Sequence, residues 1–110
     1  MIEEYSFGSM KIDGQTYEND LKIFPDGIRP DWWREEGHTW QSEDIKDVLN
    51  YDPELVIIGQ GHSSRMKLSK EVIRVLEDEG IEFIALNTQK AVEEFNNASG
   101  RVVGLFHLTC

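Results

Sequence analysis

The side chains best suited to chemistry fall in one short loop, Gly59-Gln60-Gly61-His62-Ser63-Ser64-Arg65-Met66-Lys67. Two glycines let a backbone turn sharply, while two hydroxyls, a guanidinium and an ammonium can donate to a carboxylate or phosphate. A helix start at Ser69 adds amide donors of its own. His62 is the one loop residue suited to act as a general base. The chemistry indicated is recognition of a small anion, with Arg29 and Arg34 as further cations able to face the same pocket. A structural strand-to-helix turn, whose glycines serve only conformation, uses the same residues.

Sharper motifs fail on their own terms. A dinucleotide fingerprint needs glycine at position 64 and an acid at the end of the next strand, where this chain has Ser64 and Leu86-Asn87. A phosphate-binding P-loop needs glycine directly before lysine and a hydroxyl after it, but Lys67 stands between Met66 and Leu68. His107 and Cys110 suggest nucleophilic catalysis, yet residues three apart on a strand point to opposite faces. His107 therefore reads as a buried structural residue, and no catalytic residue is assigned. His38, His62, His107 and Cys110 lack the close spacings of metal ligands, so neither metal nor cofactor is expected.

Trp32, Trp33 and Trp40 form a second distinctive group. Trp40 and one of the adjacent pair read as cover for a sheet face or edge that three short helices would leave wet. Neighbours in an extended chain face opposite ways, so the other of Trp32 and Trp33 is the candidate contact for a protein partner or a second copy of the domain.

The elements that must position these residues follow from periodicity. Residues 55–58, an unbroken apolar run, read as a strand covered on both faces that ends at Gly59 and Gly61, and ligands bind outside the carboxyl ends of such strands. Ser69 caps a helix with Val72, Ile73, Val75 and Leu76 on one stripe, and Gly80 stops it. A strand over 81–86, a helix beginning at Asn87-Thr88 and a strand over 102–109, apolar on both sides, complete the alternation. Upstream, residues 4–12, an Asp13-Gly14 turn, Thr16-Tyr17 and residues 21–24 read as antiparallel β structure. Residues 28–40 read as an irregular crossing, and Ser42 as the cap of a helix carrying Ile45, Val48 and Leu49. The predicted fold class is α/β: a three-layer sandwich with a mixed, mainly parallel central sheet, plus an N-terminal β-hairpin, in a single domain spanning 1–110.

Composition bounds the role. With 110 residues there is room for one modest core, and a formal charge of −10 excludes nucleic acid as a default partner. Acids are nevertheless absent from 55–70 and from 95–110, so a neutral-to-basic patch forms if those stretches meet. No segment approaches the ~18 to 20 apolar residues of a membrane helix. The acid-bearing start, Met1-Ile2-Glu3-Glu4, differs from a secretory leader, and the one cysteine, Cys110, agrees with a reducing compartment, so cytoplasmic location is expected.

Ser6-Phe7-Gly8-Ser9-Met10 before a hairpin, Trp33-Arg34, the residues 55–61, the helix pattern from Asn87-Thr88 to Asn96 and the ending Gly104-Leu105-Phe106-His107-Leu108-Thr109-Cys110 agree in order and spacing with one family. Over essentially its whole length the chain resembles the small uncharacterised domain of archaeal and bacterial hypothetical proteins, the human adipogenesis-associated domain protein and a mitochondrial respiratory complex I assembly factor. The closing His-x-Thr-Cys is most similar to the adipogenesis-associated branch. The resemblance implies a three-layer α/β domain with an extra hairpin and, in some eukaryotic members, association with other proteins. It implies no established activity or cofactor. The acid-bearing start does not read as a mitochondrial presequence, so the assembly-factor role is not expected to carry over.

Two functional readings follow. The favoured one is a non-catalytic binding or protein-interaction module, engaging a protein or a small anionic metabolite through the loop after residues 55–58 and the exposed tryptophan. The alternative is a small enzyme using the same pocket with His62 as general base.

Overall fold

The computed structural model describes residues 2–32 and 39–109. The chain opens with β1 (Ile2–Ser6), β2 (Ser9–Ile12) and β3 (Gln15–Tyr17), an antiparallel sheet in that order. The predicted continuous strand over 4–12 is broken at Phe7 and Gly8. Gly8 takes φ +79° and its N–H donates to the Leu108 carbonyl at 2.8 Å, so the far end of the chain fixes this turn. The next turn, Asp13-Gly14, has positive φ at both residues, 48° and 85°, whose twist suits a two-residue hairpin.

β4 (Leu21–Phe24), β5 (Gly27–Arg29) and β6 (Thr39–Trp40) lead to a 3-10 turn at Ser42–Ile45 and to α1 (Lys46–Tyr51). Gln41 rather than Ser42 holds the cap position. Its N–H donates to the Asp44 carboxylate at 2.8 Å, the reach-back half of a capping box. Then come β7 (Leu55–Gln60), β8 (Lys67–Leu68), α2 (Lys70–Asp78), β9 (Glu82–Leu86), α3 (Thr88–Asn97) and β10 (Val102–His107). Ser69 and Asn87 cap α2 and α3 by accepting the Val72 and Lys90 N–H groups at 3.1 and 2.9 Å.

The central sheet has five strands in the order β5-β4-β10-β7-β9. β10 and β9 lie parallel to β7, whereas β4 runs antiparallel to both β10 and β5, so the sheet is mixed. Alternation along β7 and β10 divides the core in two. Val56, Ile58, Val103 and Leu105 face Ile45, Val48, Val72 and Leu76 of the α1 and α2 layer. Ile57, Val102 and Phe106 face Ala91 and Val92 of α3 together with Ile2, Tyr5, Met10 and Ile12 of the hairpin. Helices, sheet, and helix plus hairpin are the three layers. The short β6 pairs with β8 in parallel, Trp40 level with Leu68.

β7 runs two residues past the predicted end, with Gly59 and Gln60 paired to Phe106 and His107. A Cβ on Gly59 would lie 2.9 Å from the Thr88 Oγ1 and 3.0 Å from the Phe106 Cδ1. Gly59 is therefore a packing glycine under the start of α3. The chain reversal belongs to Gly61, at φ +101°.

Candidate functional site

The carboxyl ends of β7 and β10, the start of α3 and the β1–β2 turn meet at one rim. Gly61 is buried there, its N–H donating to the Thr88 Oγ1 at 2.8 Å and its carbonyl accepting from the Thr88 and Ser64 amides at 3.1 and 3.2 Å. The His62 N–H donates to the Thr109 carbonyl at 2.6 Å, and the Met66 N–H to the Gln60 carbonyl at 2.9 Å. The amides of residues 61, 62, 64 and 66 are thus spent inside the fold. What the loop turns outward is side chain: His62, Ser63, Arg65 and Lys67 are exposed, Gln60 and Ser64 half-buried. Among the described residues no carboxylate forms an ion pair with Arg65 or Lys67.

His62 meets aromatic rings at this rim. Phe7 stands edge-on to it with centroids 5.8 Å apart and planes at 79°, and the Tyr5 ring lies 6.3 Å away. Phe7 is 59% exposed, the one large hydrophobic side chain exposed among the described residues. A lone aromatic in a hairpin carries no periodicity, so no sequence pattern marks Phe7 out. Tyr5 is buried, with its hydroxyl donating to the Leu108 carbonyl at 3.0 Å. Burial, and then the charge of Asp20, raise its phenol above the ordinary 10.0.

Beneath the rim lies a polar network joining distant parts of the chain. The His107 Nδ1 is 2.7 Å from the Asp20 Oδ2, and the other oxygen of Asp20 accepts the Leu108 N–H at 2.8 Å. The Thr88 hydroxyl donates to the His107 carbonyl at 2.6 Å, linking β10 to the helix that Gly61 also contacts. Asp20 has no local signal in the sequence. Only the antiparallel pairing of β4 with β10, Leu21 level with Phe106, places it there.

Of the other candidates, Arg29 lies elsewhere. Arg29 sits on β5, three strands from β7 and so about 14 Å away at normal strand spacing. Its guanidinium is 3.2 Å from the Asp26 carboxylate and 4.3 Å above the Phe24 ring. Arg34, Trp33 and His38, like Cys110, lie outside the described residues. Trp32 is half-buried, stacked on Trp40 at 5.8 Å and 9°, with the Lys22 ammonium 4.5 Å over its ring. Away from the rim, a cavity of about 320 Å³ opens between the hairpin and the β4–β5 turn, lined chiefly by Ile12, Ile23, Ile28 and Phe95. Among the described residues no three His, Cys, Asp or Glu side chains are arranged to hold a metal. No described helix is long and apolar enough to cross a membrane.

These features define a small mixed α/β domain whose parallel strands deliver a tightly bonded loop and an aromatic edge to one rim. The chain belongs to the family described as protein of unknown function (DUF498/DUF598), whose profile matches residues 2–107. It is similar to a conserved hypothetical protein from Pyrococcus horikoshii, at 27% identity and a TM-score of 0.85 over 100% of this chain and 99% of that one. An outer membrane protein from Bartonella henselae is 25% identical, with a TM-score of 0.82 over 99% of this chain and 94% of that one. A Mth938-like domain protein from Bordetella pertussis shares the fold, at 18% identity and a TM-score of 0.68 over 97% and 84% of the two chains.

Proposed function

We propose that this chain is a non-catalytic, cytoplasmic interaction module that holds a protein partner against the Phe7 and His62 edge, with Arg65 and Lys67 attracting an acidic group. The observation that carries this reading is Phe7, 59% exposed and packed edge-on against an exposed His62. An aromatic left in water at a rim supplies contact area at little entropic cost, and loop cations beside it steer an acidic partner. The same cations suit a small anionic metabolite. Because four loop amides are already bonded, such an anion would depend on the side chains. His62 faces the ring of Phe7 and the ring of Tyr5, whose hydroxyl is already donated to the Leu108 carbonyl, which supports contact over the alternative role of general base. The net charge of −10 supports a protein rather than a nucleic-acid partner.

A photo-crosslinking residue placed at Phe7 in cells tests the reading. One dominant protein adduct is expected, reduced by Arg65→Ala with Lys67→Ala. Adducts that are diffuse, or a dominant adduct indifferent to the loop substitutions, would remove it. Thermal-shift titration of anionic metabolites against the same double variant tests the metabolite arm, which is lost if parent and variant respond alike.

A further inference from the structure

We infer that the cavity between the Asp13-Gly14 turn and the β4–β5 turn binds a small amphipathic amine, an aromatic or branched aliphatic body carrying one ammonium. This site lies at the opposite end of the sheet from the rim. β4 runs antiparallel to β10, with Leu21 level with Phe106 and Ile23 level with Gly104, so the turn at Pro25-Asp26-Gly27 falls beside the start of β10. In the hairpin, Gly8 is bonded to Leu108 at the rim, which sends the Asp13-Gly14 turn toward that same far end. The cavity follows from how this face of the sheet is covered. α3 and the hairpin pack over Ile57, Val102 and Phe106 at its middle. Ile23 and Ile28, paired across β4 and β5 on the same face, are left half-buried. Gly104, level with Ile23, has no side chain to fill the space, and a Cβ there would lie 2.9 Å from the Phe95 ring, which forms one wall. Buried Ile2 and Ile12 close the hairpin side. Three elements thus enclose about 320 Å³ of chiefly apolar space, the lower end of the range for small-ligand pockets.

The charges at the mouth select the ligand's sign. Asp13 and Asp26, one on each turn, are exposed and are the charged residues of the described lining, which contains no lysine or arginine. The Glu3 carboxylate accepts the Gly14 N–H beside Asp13 and adds a third negative charge. Arg29 is 3.2 Å from the Asp26 carboxylate, but it stacks over the Phe24 ring, which packs into the α1 and α2 layer on the other face. Three acids against this one base leave the mouth negative, within a chain that is itself at −10. A carboxylate or phosphate is repelled here, and a neutral molecule gains from burial alone. An amine uses both parts of the site, its apolar body against Ile23, Ile28 and Phe95 and its ammonium at the acidic mouth.

Amide chemical-shift titration of the full chain with tryptamine, its alcohol analogue tryptophol and indolepropionate tests the inference. Saturable shifts are expected at Asp13, Ile23, Ile28 and Phe95 and not at His62 or Arg65, which separates this site from the rim. Tryptamine should bind about three- to fivefold more tightly than tryptophol, the gain of an exposed ion pair, and indolepropionate most weakly. Asp13→Asn with Asp26→Asn neutralises the mouth, and asparagine accepts the positive φ at position 13, so tryptamine should fall to the affinity of tryptophol. Ile28→Trp, which fills the cavity, should abolish the shifts for both. Because Ile28→Trp sits in the sheet, the asparagine pair on the exposed turns carries the test if that variant fails to fold. Shifts that never saturate at these residues, equal affinity for the three probes, or an amine preference that survives the asparagine pair overturns the inference. Binding that persists in a folded Ile28→Trp variant overturns it as well.

Discussion

His107 and Asp20 are separated by 87 positions in the chain, yet the His107 Nδ1 and the Asp20 Oδ2 are 2.7 Å apart. The contact exists because β4 and β10 pair antiparallel, which sets the residue before Leu21 beside the residue after Phe106. Both side chains are well buried, 7% and 12% exposed. Asp20→Ala should therefore strand the Leu108 N–H and the imidazole, at about 1–3 kcal/mol for each buried group left unpaired. In thermal unfolding that is about 4 °C per kcal/mol for a domain of this size. Asp20→Asn, which keeps one acceptor, should lose less. A midpoint for Asp20→Ala within about 0.5 kcal/mol of the parent would deny the pair any structural weight.

Tyr5 makes the fold sensitive to alkali. Burial first, and the Asp20 charge second, hold its folded phenol above the 10.0 of the unfolded chain. As pH rises the unfolded state gives up this proton first, so ionisation draws the equilibrium toward unfolding. The stabilisation is complete below pH 10.0 and is lost as pH climbs from there through the higher folded value. Tyr5→Phe should cost about 1 kcal/mol at neutral pH through the hydrogen bond to Leu108. It should also flatten the alkaline decline. Denaturant titrations of both proteins at neutral and strongly alkaline pH measure the two effects, and parallel declines would contradict the second.

Gly59→Ala distinguishes a packing glycine from a turn glycine. Its backbone is extended, so alanine meets no conformational penalty there, but the new methyl would press on Thr88 and Phe106 at 2.9 and 3.0 Å. Such overpacking typically costs about 1–3 kcal/mol. The displaced Thr88 also carries the bonds to Gly61 and His107, so amide exchange at Gly61 should quicken along with the loss of stability. Full stability with unchanged exchange would mean that Thr88 and Phe106 give way to the methyl, and would deny Gly59 its packing role.

The parts of the fold legible in the sequence are those with a local cause. The apolar run at 55–58, the stripe of Val72 and Leu76, and the caps Ser69 and Asn87 each announce an element from within a few residues. The site is less legible because its contacts are long-range. Gly59 and Gly61 look alike in sequence, and only the descent of Thr88 onto the sheet separates packing from turning. That the loop's amides are spent within the fold is not legible locally, because their acceptors include the Thr88 hydroxyl and the Thr109 carbonyl, far along the chain. Phe7 is left outside because Gly8 is pinned to Leu108, a hundred residues away in the chain.

Lys22 and Asp47 form an ion pair of unequal burial, and their substitutions should be unequal in consequence. The Lys22 ammonium donates to the Asp44 carbonyl at 2.6 Å and to both Asp47 oxygens at 2.9 and 3.0 Å, while lying 4.5 Å over the Trp32 ring. Its side chain is 8% exposed, whereas that of Asp47 is 46% exposed. Water can therefore replace the lysine at Asp47, and the pair itself is worth no more than the ~1 kcal/mol of a surface bridge. Lys22→Met keeps the stem volume but removes a charged donor from the Asp44 carbonyl and the cation from Trp32, so a loss of about 1.5–3 kcal/mol is expected. Asp47→Asn should lose less than about 1 kcal/mol. Urea unfolding of the two variants gives the comparison directly. Equal losses would mean that the ion pair, rather than the burial of the lysine between Trp32 and Asp44, sets the stability of this corner.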